Sequence, residues 1–194
     1  MADRLILASS SPRRAALLRA AGYVFEVVSP PDDEPMSLST NPRPVDHARA
    51  LSRFKAESVQ KAVDGGVLLA ADTVVAVCQR IFGKPVDRLD ARRILQSLAG
   101  TTHEVITGVT LLDVCSGRLE TMHDRTLVTM KSWTEKEMTS YLDSDAWIGK
   151  AGAYGIQDHG DQFVTHLEGS FTNVVGLPME LVAGLLGDRF QIKP

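Results

Sequence analysis

The residues of this chain best placed to do chemistry are charged side chains standing where a fold alone would not put them. The stretch "SSSPRR", residues 9–14, opens a helix with serine and proline, both ordinary start signals. It then places Arg13 and Arg14 in the first turn, facing the positive end of the helix dipole, where acidic residues would stabilise. An anionic ligand would supply the missing negative charge. Asp72 interrupts the apolar, β-branched run "VLLAADTVVAVC", residues 67–78, which reads as a strand buried on both faces. An unpaired carboxylate there would cost several kcal/mol, so Asp72 implies either a structural ion pair or a site, and the site is the favoured reading.

Two further cations and one acid gain weight only in company. Projected as a helix, residues 45–63 put Ala48, Leu51, Val59 and Ala62 on one stripe with Lys55 at its centre. Lys55 then either snorkels to the helix edge or faces a site. Lys84, in the turn "GKP", and Glu34, at the end of "PDDE", would be unremarkable alone. Together, Arg13, Arg14, Lys55 and Lys84 with Asp72 and Glu34 could converge on one cleft. Cations and helix-terminal N–H groups hold phosphate oxygens. Carboxylates hold a divalent metal or orient the attacking water, so the combination fits phosphoryl chemistry.

Elements able to position these groups alternate between strand and helix. Strands are expected over residues 4–9, 24–28, 67–78, 103–114, 119–131 and 162–167, and helices over 12–21, 45–63, 89–98, 134–143 and 178–186. A polar, proline-rich stretch, 29–44, and the glycine-rich "GKAGAYGIQ", 149–157, connect them. This pattern predicts an α/β fold: a mixed sheet with flanking helices and two lobes around a central cleft, formed by a single domain over residues 1–194.

Composition excludes several classes. With 21 basic and 24 acidic residues the net charge is -3, which gives no general attraction to nucleic acid. No apolar run of membrane-spanning length and no secretory leader are evident, which predicts a cytoplasmic protein that does not enter membranes. Cys78 and Cys115 each sit in an apolar, strand-like run rather than in a spacing suited to metal ligands, and are expected to be reduced core thiols. His159, Asp161 and His166, in "DHGDQFVTHLEGSF", lack a spacing that fixes a metal and are assigned no role.

The segments "LILASSSPRRAALL", "DDE", the lysine of "FKAE", "AADTVV", "GKP", "GKAGAYGIQ" and "EGSFTNVVGLP" occur in the order and spacing of the Maf family, also called septum formation proteins. The resemblance runs from about residue 4 to 187. It implies a nucleoside triphosphate pyrophosphatase that cleaves between the α- and β-phosphates with Mg²⁺ or Mn²⁺. The implied architecture resembles that of inosine triphosphate pyrophosphatases and is commonly a homodimer.

By the same resemblance, Asp72 is the proton acceptor and Glu34 joins it at the metal, while Arg13, Arg14, Lys55 and Lys84 bind phosphate. Ser9 starts the family's Ser-x-x-x-Arg turn, with helix capping as its favoured role and phosphate binding as the alternative. Gln157 is placed near the base. Arg13, Thr73 and Gln157 resemble the branch preferring dTTP and UTP rather than the one preferring 7-methyl-GTP. A glutamine amide matches the adjacent carbonyl and N3–H of a pyrimidine, and a small Thr73 suits a pocket sized for one ring. The expected function is hydrolysis of dTTP and UTP, with modified pyrimidine nucleotides as further candidates. The alternative is a nucleotide-binding regulator of septum formation acting through a protein partner.

Overall fold

The computed structural model describes residues 4–30, 43–157 and 161–194. Seven strands form one sheet: β1 (Leu5–Ala8), β2 (Phe25–Val27), β3 (Val67–Val77), β4 (Arg80–Phe82), β5 (Thr102–Asp113), β6 (Leu119–Met130) and β7 (Val164–Glu168). Their order is β2-β1-β3-β5-β6-β7, with β4 hairpinned onto β3. β1 pairs in parallel with β2 and β3, whereas β3, β5, β6 and β7 pair antiparallel, so the sheet is mixed as expected.

Helices cover both faces, and strand alternation decides which residue meets which helix. On one face Leu5, Leu7, Leu69 and Ala71 pack with Ala15 and Leu18 of α1 (Pro12–Ala20). On the other, Ile6, Ala8, Leu68 and Ala70 pack with Ala56 and Val59 of α2 (Pro44–Gln60). A third cluster joins Ile94, Leu95 and Leu98 of α3 (Arg88–Leu98) to Met138, Tyr141 and Leu142 of α4 (Glu135–Asp143). It forms the second lobe together with Tyr154 and Phe163. Local sequence starts these helices as chemistry dictates. Asp87 accepts from the Asp90 N–H at 2.7 Å, and Thr134 and Glu137 form a reciprocal capping box.

Several expectations need correction. α2 ends at Gln60, and Ala62 is exposed beyond it, so the buried stripe is Ala48, Leu51, Ser52, Ala56 and Val59. Cys78 and Cys115 are exposed thiols, not core ones. Each follows its apolar run into a turn; Cys78 has φ 47°, and the Cys115 N–H donates to Asp113 Oδ1 at 2.9 Å. A short helix, α5 (Phe171–Val175), precedes α6 (Met179–Gly184), which continues as a wider turn over Leu185–Arg189. Among the described residues no helix is long and apolar enough to cross a membrane.

Candidate active site

A cleft of about 340 Å³ opens where the two lobes meet. Its walls contain Ser9, Arg13, Arg14, Lys55, Asp72, Thr73, Lys84 and Gln157, which brings together every site residue expected from the sequence except Glu34. Glu34 lies outside the described residues, and so does His159. Five cationic side chains, Arg13, Arg14, Lys55, Lys84 and Lys150, line this cleft against a single carboxylate, Asp72, among the described residues. An excess of this kind in one pocket suits a polyanion.

The strand explains the arrangement. Asp72 follows Leu68 and Ala70 onto the α2 face, where Lys55 forms an ion pair with its Oδ1. The side chains retain only 14% and 12% exposure, so the lysine does not snorkel to solvent. The ion pair is the plainer of the two readings of Asp72, but it is formed in the cleft wall rather than in a closed core. No hydrogen bond to the second Asp72 oxygen is made among the described residues.

Thr73 points to the opposite face and meets α1. Arg14 Nη2 donates to Thr73 Oγ1 at 3.1 Å, Nε to the Gly176 carbonyl at 2.8 Å and Nη1 to Ser9 Oγ at 3.3 Å. These acceptors are all neutral. Burial lowers the Arg14 pKa from its ordinary range, the Asp72 charge opposes that shift, and Arg13 adds to it. A guanidinium stays protonated regardless, so Arg14 is a densely surrounded cation with no carboxylate hydrogen-bonded to it among the described residues.

Ser9 does not cap α1. Its Oγ accepts from the Ser11 N–H at 3.2 Å, one residue short of the helix, and from Arg14. Ser11, the residue at the cap position, makes no side-chain cap bond, so nothing on its side chain covers the first-turn N–H groups. Ser9 instead shapes the turn and helps hold the arginine.

The glycine-rich segment is fastened to the same centre. The Gly152 N–H donates to the Gly83 carbonyl at 3.0 Å, next to Lys84. Gly152 has φ 72°, and a Cβ there would lie 2.8 Å from a Val75 methyl, so only glycine permits this approach. Two residues on, Tyr154 is anchored to buried His103, with Nε2 and Oη 2.7 Å apart. Gln157 is exposed on the cleft wall beyond it.

Sequence reasoning missed three contributors. Lys150 is 8% exposed in the cleft wall, and its Nζ donates to the Ala146 carbonyl. It stood inside "GKAGAYGIQ", where a lysine among glycines was the available signal. The Gly176 carbonyl and the buried Thr107 had none, because backbone acceptors and core threonines carry no mark in a sequence.

Fold and cleft define an α/β protein with a cation-lined pocket built around one carboxylate. The family model described as Maf-like protein matches residues 4–189, and the chain belongs to that family. A dTTP/UTP pyrophosphatase from Carboxydothermus hydrogenoformans is 44% identical over 91% of this chain and 93% of that protein. One from Pelotomaculum thermopropionicum is 39% identical over 94% of each, and one from Bacillus anthracis 40% identical over 91% of this chain and 90% of that protein. A crystal structure of a nucleoside-triphosphatase, a dITP/XTP pyrophosphatase from Mycobacterium abscessus, overlaps in part. It covers 66% of this chain and 74% of its own, with TM-score 0.41 and 17% identity.

Proposed function

We propose that this protein hydrolyses dTTP and UTP at the bond between the α- and β-phosphates, giving the nucleoside monophosphate and pyrophosphate. The observation that carries the reading is the cleft with Asp72 as its lone described carboxylate among Arg13, Arg14, Lys55, Lys84 and Lys150. The relatives named dTTP/UTP pyrophosphatase, aligned over nearly the whole chain, support the same substrate class. A pure nucleotide binder would gain nothing from a negative charge set among phosphates.

In this mechanism Arg14, already locked by three neutral oxygens, binds phosphate without having to be ordered first. Arg13 and Lys84 add charge from α1 and from the turn after β4, and the first-turn N–H groups of α1 face the same ligand. Asp72, held through Oδ1 by Lys55, accepts the proton of the attacking water as the new P–O bond forms and the anhydride bond breaks. Gln157 reads the base, donating to one edge atom of the pyrimidine and accepting from its neighbour.

The donor set suits a hard divalent cation, Mg²⁺ or Mn²⁺. Asp72 offers a carboxylate oxygen not engaged by a described residue, and phosphate oxygens would complete the shell. Asp72 and Glu34 would hold the ion, which neutralises phosphate charge and polarises the anhydride.

A panel of dTTP, UTP, CTP, GTP and 7-methyl-GTP with Mg²⁺, scored separately for pyrophosphate and orthophosphate, tests this. Pyrophosphate from dTTP and UTP is expected. Orthophosphate alone would refute cleavage at the α–β bond, and a preference for 7-methyl-GTP would refute the pyrimidine reading. Tight binding without turnover would favour a regulator.

A further inference from the structure

Arg14 is held by atoms that are themselves held. Its Nη2 donates to Thr73 Oγ1, which lies 2.9 Å from Thr107 Oγ1, and Thr107 lies 3.3 Å from the Asn173 carbonyl. Each threonine has one proton to give, and the proton count sets a direction. Were Thr107 to give its proton to Thr73, the Asn173 carbonyl would lose this donor. Thr73 would then be left with the Gly176 carbonyl, 3.4 Å away and already accepting from Arg14 Nε. With the protons running outward, each hydroxyl donates once and accepts once, from the Arg14 guanidinium through Thr73 and Thr107 to Asn173. A one-way chain that starts at a cation strengthens each bond along it.

The far end is fixed. Asn173 is fully buried, and its Nδ2 donates to the Val105 carbonyl and to Thr126 Oγ1, both at 2.9 Å. Thr107 is also fully buried and is not among the residues lining the cleft.

We propose that Thr107, acting through Thr73, is a positioning residue that sets the phosphate affinity of the cleft by fixing the Arg14 guanidinium. This rests on the reading of Arg14 as a phosphate ligand. It also gives the Thr73 hydroxyl a task distinct from sizing the base pocket: that hydroxyl faces the arginine. A planar guanidinium binds phosphate well only in a set orientation, so loosening one of its acceptors weakens capture of the ligand more than the chemical step.

Steady-state kinetics with UTP and Mg²⁺ on the parent, Thr107→Val, Thr107→Ser, Arg14→Ala and Arg14→Ala with Thr107→Val test it. Valine keeps the shape of threonine and removes the hydroxyl. Thr107→Val is expected to raise KM about five- to tenfold, the scale of one lost internal hydrogen bond, with kcat little changed. Thr107→Ser should restore the parental KM, and Thr107→Val should add nothing once Arg14 is gone. An unchanged KM in folded Thr107→Val, or an equal rise with and without Arg14, would overturn the proposal. Should Thr107→Val not fold, Thr73→Val cuts the chain one bond nearer the arginine and must show the same dependence on Arg14. Calorimetric titration with inorganic pyrophosphate repeats the comparison without turnover. A parent inert towards UTP whose pyrophosphate affinity still depends on Thr107 only when Arg14 is present would sink the substrate reading and leave the chain intact. Pyrophosphate affinity indifferent to Thr107 would sink the chain.

Discussion

Gly108 stands directly opposite Asp72 in the β3–β5 ladder, and its missing side chain is what lets α2 reach the carboxylate. A Cβ on Gly108 would lie 2.2 Å from the Ala48 carbonyl oxygen, so the helix backbone rests on the strand itself. Ser52, one turn further along α2, fixes the same contact through a 2.9 Å hydroxyl pair with Thr110. Lys55 follows and meets Asp72.

Gly108→Ala therefore has to push α2 away. Overpacking of this kind costs about 1–3 kcal/mol, to be read as a lowered denaturation midpoint. Turnover should fall further than stability suggests, because Lys55 leaves Asp72 as the helix moves. A variant with parental stability and kinetics would show that the sheet absorbs the methyl group without moving the helix.

Lys55→Met separates a cation that merely fills space from one that compensates Asp72. Both side chains are nearly enclosed, at 14% and 12% exposure, so removing the lysine leaves a carboxylate without its ion-pair partner. The expected loss is about 3 kcal/mol at neutral pH, the lower end for breaking a buried pair from one side. Lys55→Met combined with Asp72→Asn should recover much of it. Stabilisation by Lys55→Met alone would revive the snorkelling alternative.

Periodicity was enough to read six of the seven strands and the main helices, but not the three-residue β4, which is too short to show a period, and charge in improbable places was enough to read most of the cleft. Asp72 in an apolar strand and two arginines in a first turn are conspicuous because each is costly without a partner. What stayed hidden has no such cost in sequence terms. Gly108 and Thr107 are ordinary strand residues until a helix backbone and a second hydroxyl approach them. The two cysteines misled for a related reason: apolar runs continue to the last residue before a turn, and hydropathy does not mark the point where the chain leaves the core. Helix α5 was missed because five residues are too few to establish a helical period.

His103 gives the fold a pH dependence apart from the catalytic groups. Burial lowers its pKa from the ordinary 6.5 to about 4. The unfolded imidazole takes a proton near pH 6.5 while the folded one waits until about pH 4, so the unfolded state binds more protons in that window. Stability is complete above the upper value and falls by about 3 kcal/mol as pH drops through the window. Subtracting the denaturation curves of His103→Gln from those of the parent isolates this contribution from the surface carboxylates. A difference that does not change between these pH values would mean that the folded histidine titrates normally.

Asp72→Asn separates binding from chemistry. The substitution keeps the size of the side chain and removes the only described negative charge in a wall that carries Arg13, Arg14, Lys55, Lys84 and Lys150. Attraction of a triphosphate to that wall should therefore hold or increase, since one negative charge is removed from among its cations. An asparagine amide cannot accept the proton of an attacking water, so kcat should fall by about 10²-fold or more, the scale of a lost general base. Calorimetric affinity for UTP, measured beside single-turnover release of pyrophosphate, distinguishes the two effects. Parental turnover in folded Asp72→Asn would remove Asp72 from the chemical step. A collapse of affinity with the rate of bound substrate preserved would recast the carboxylate as a group that organises the binding cations.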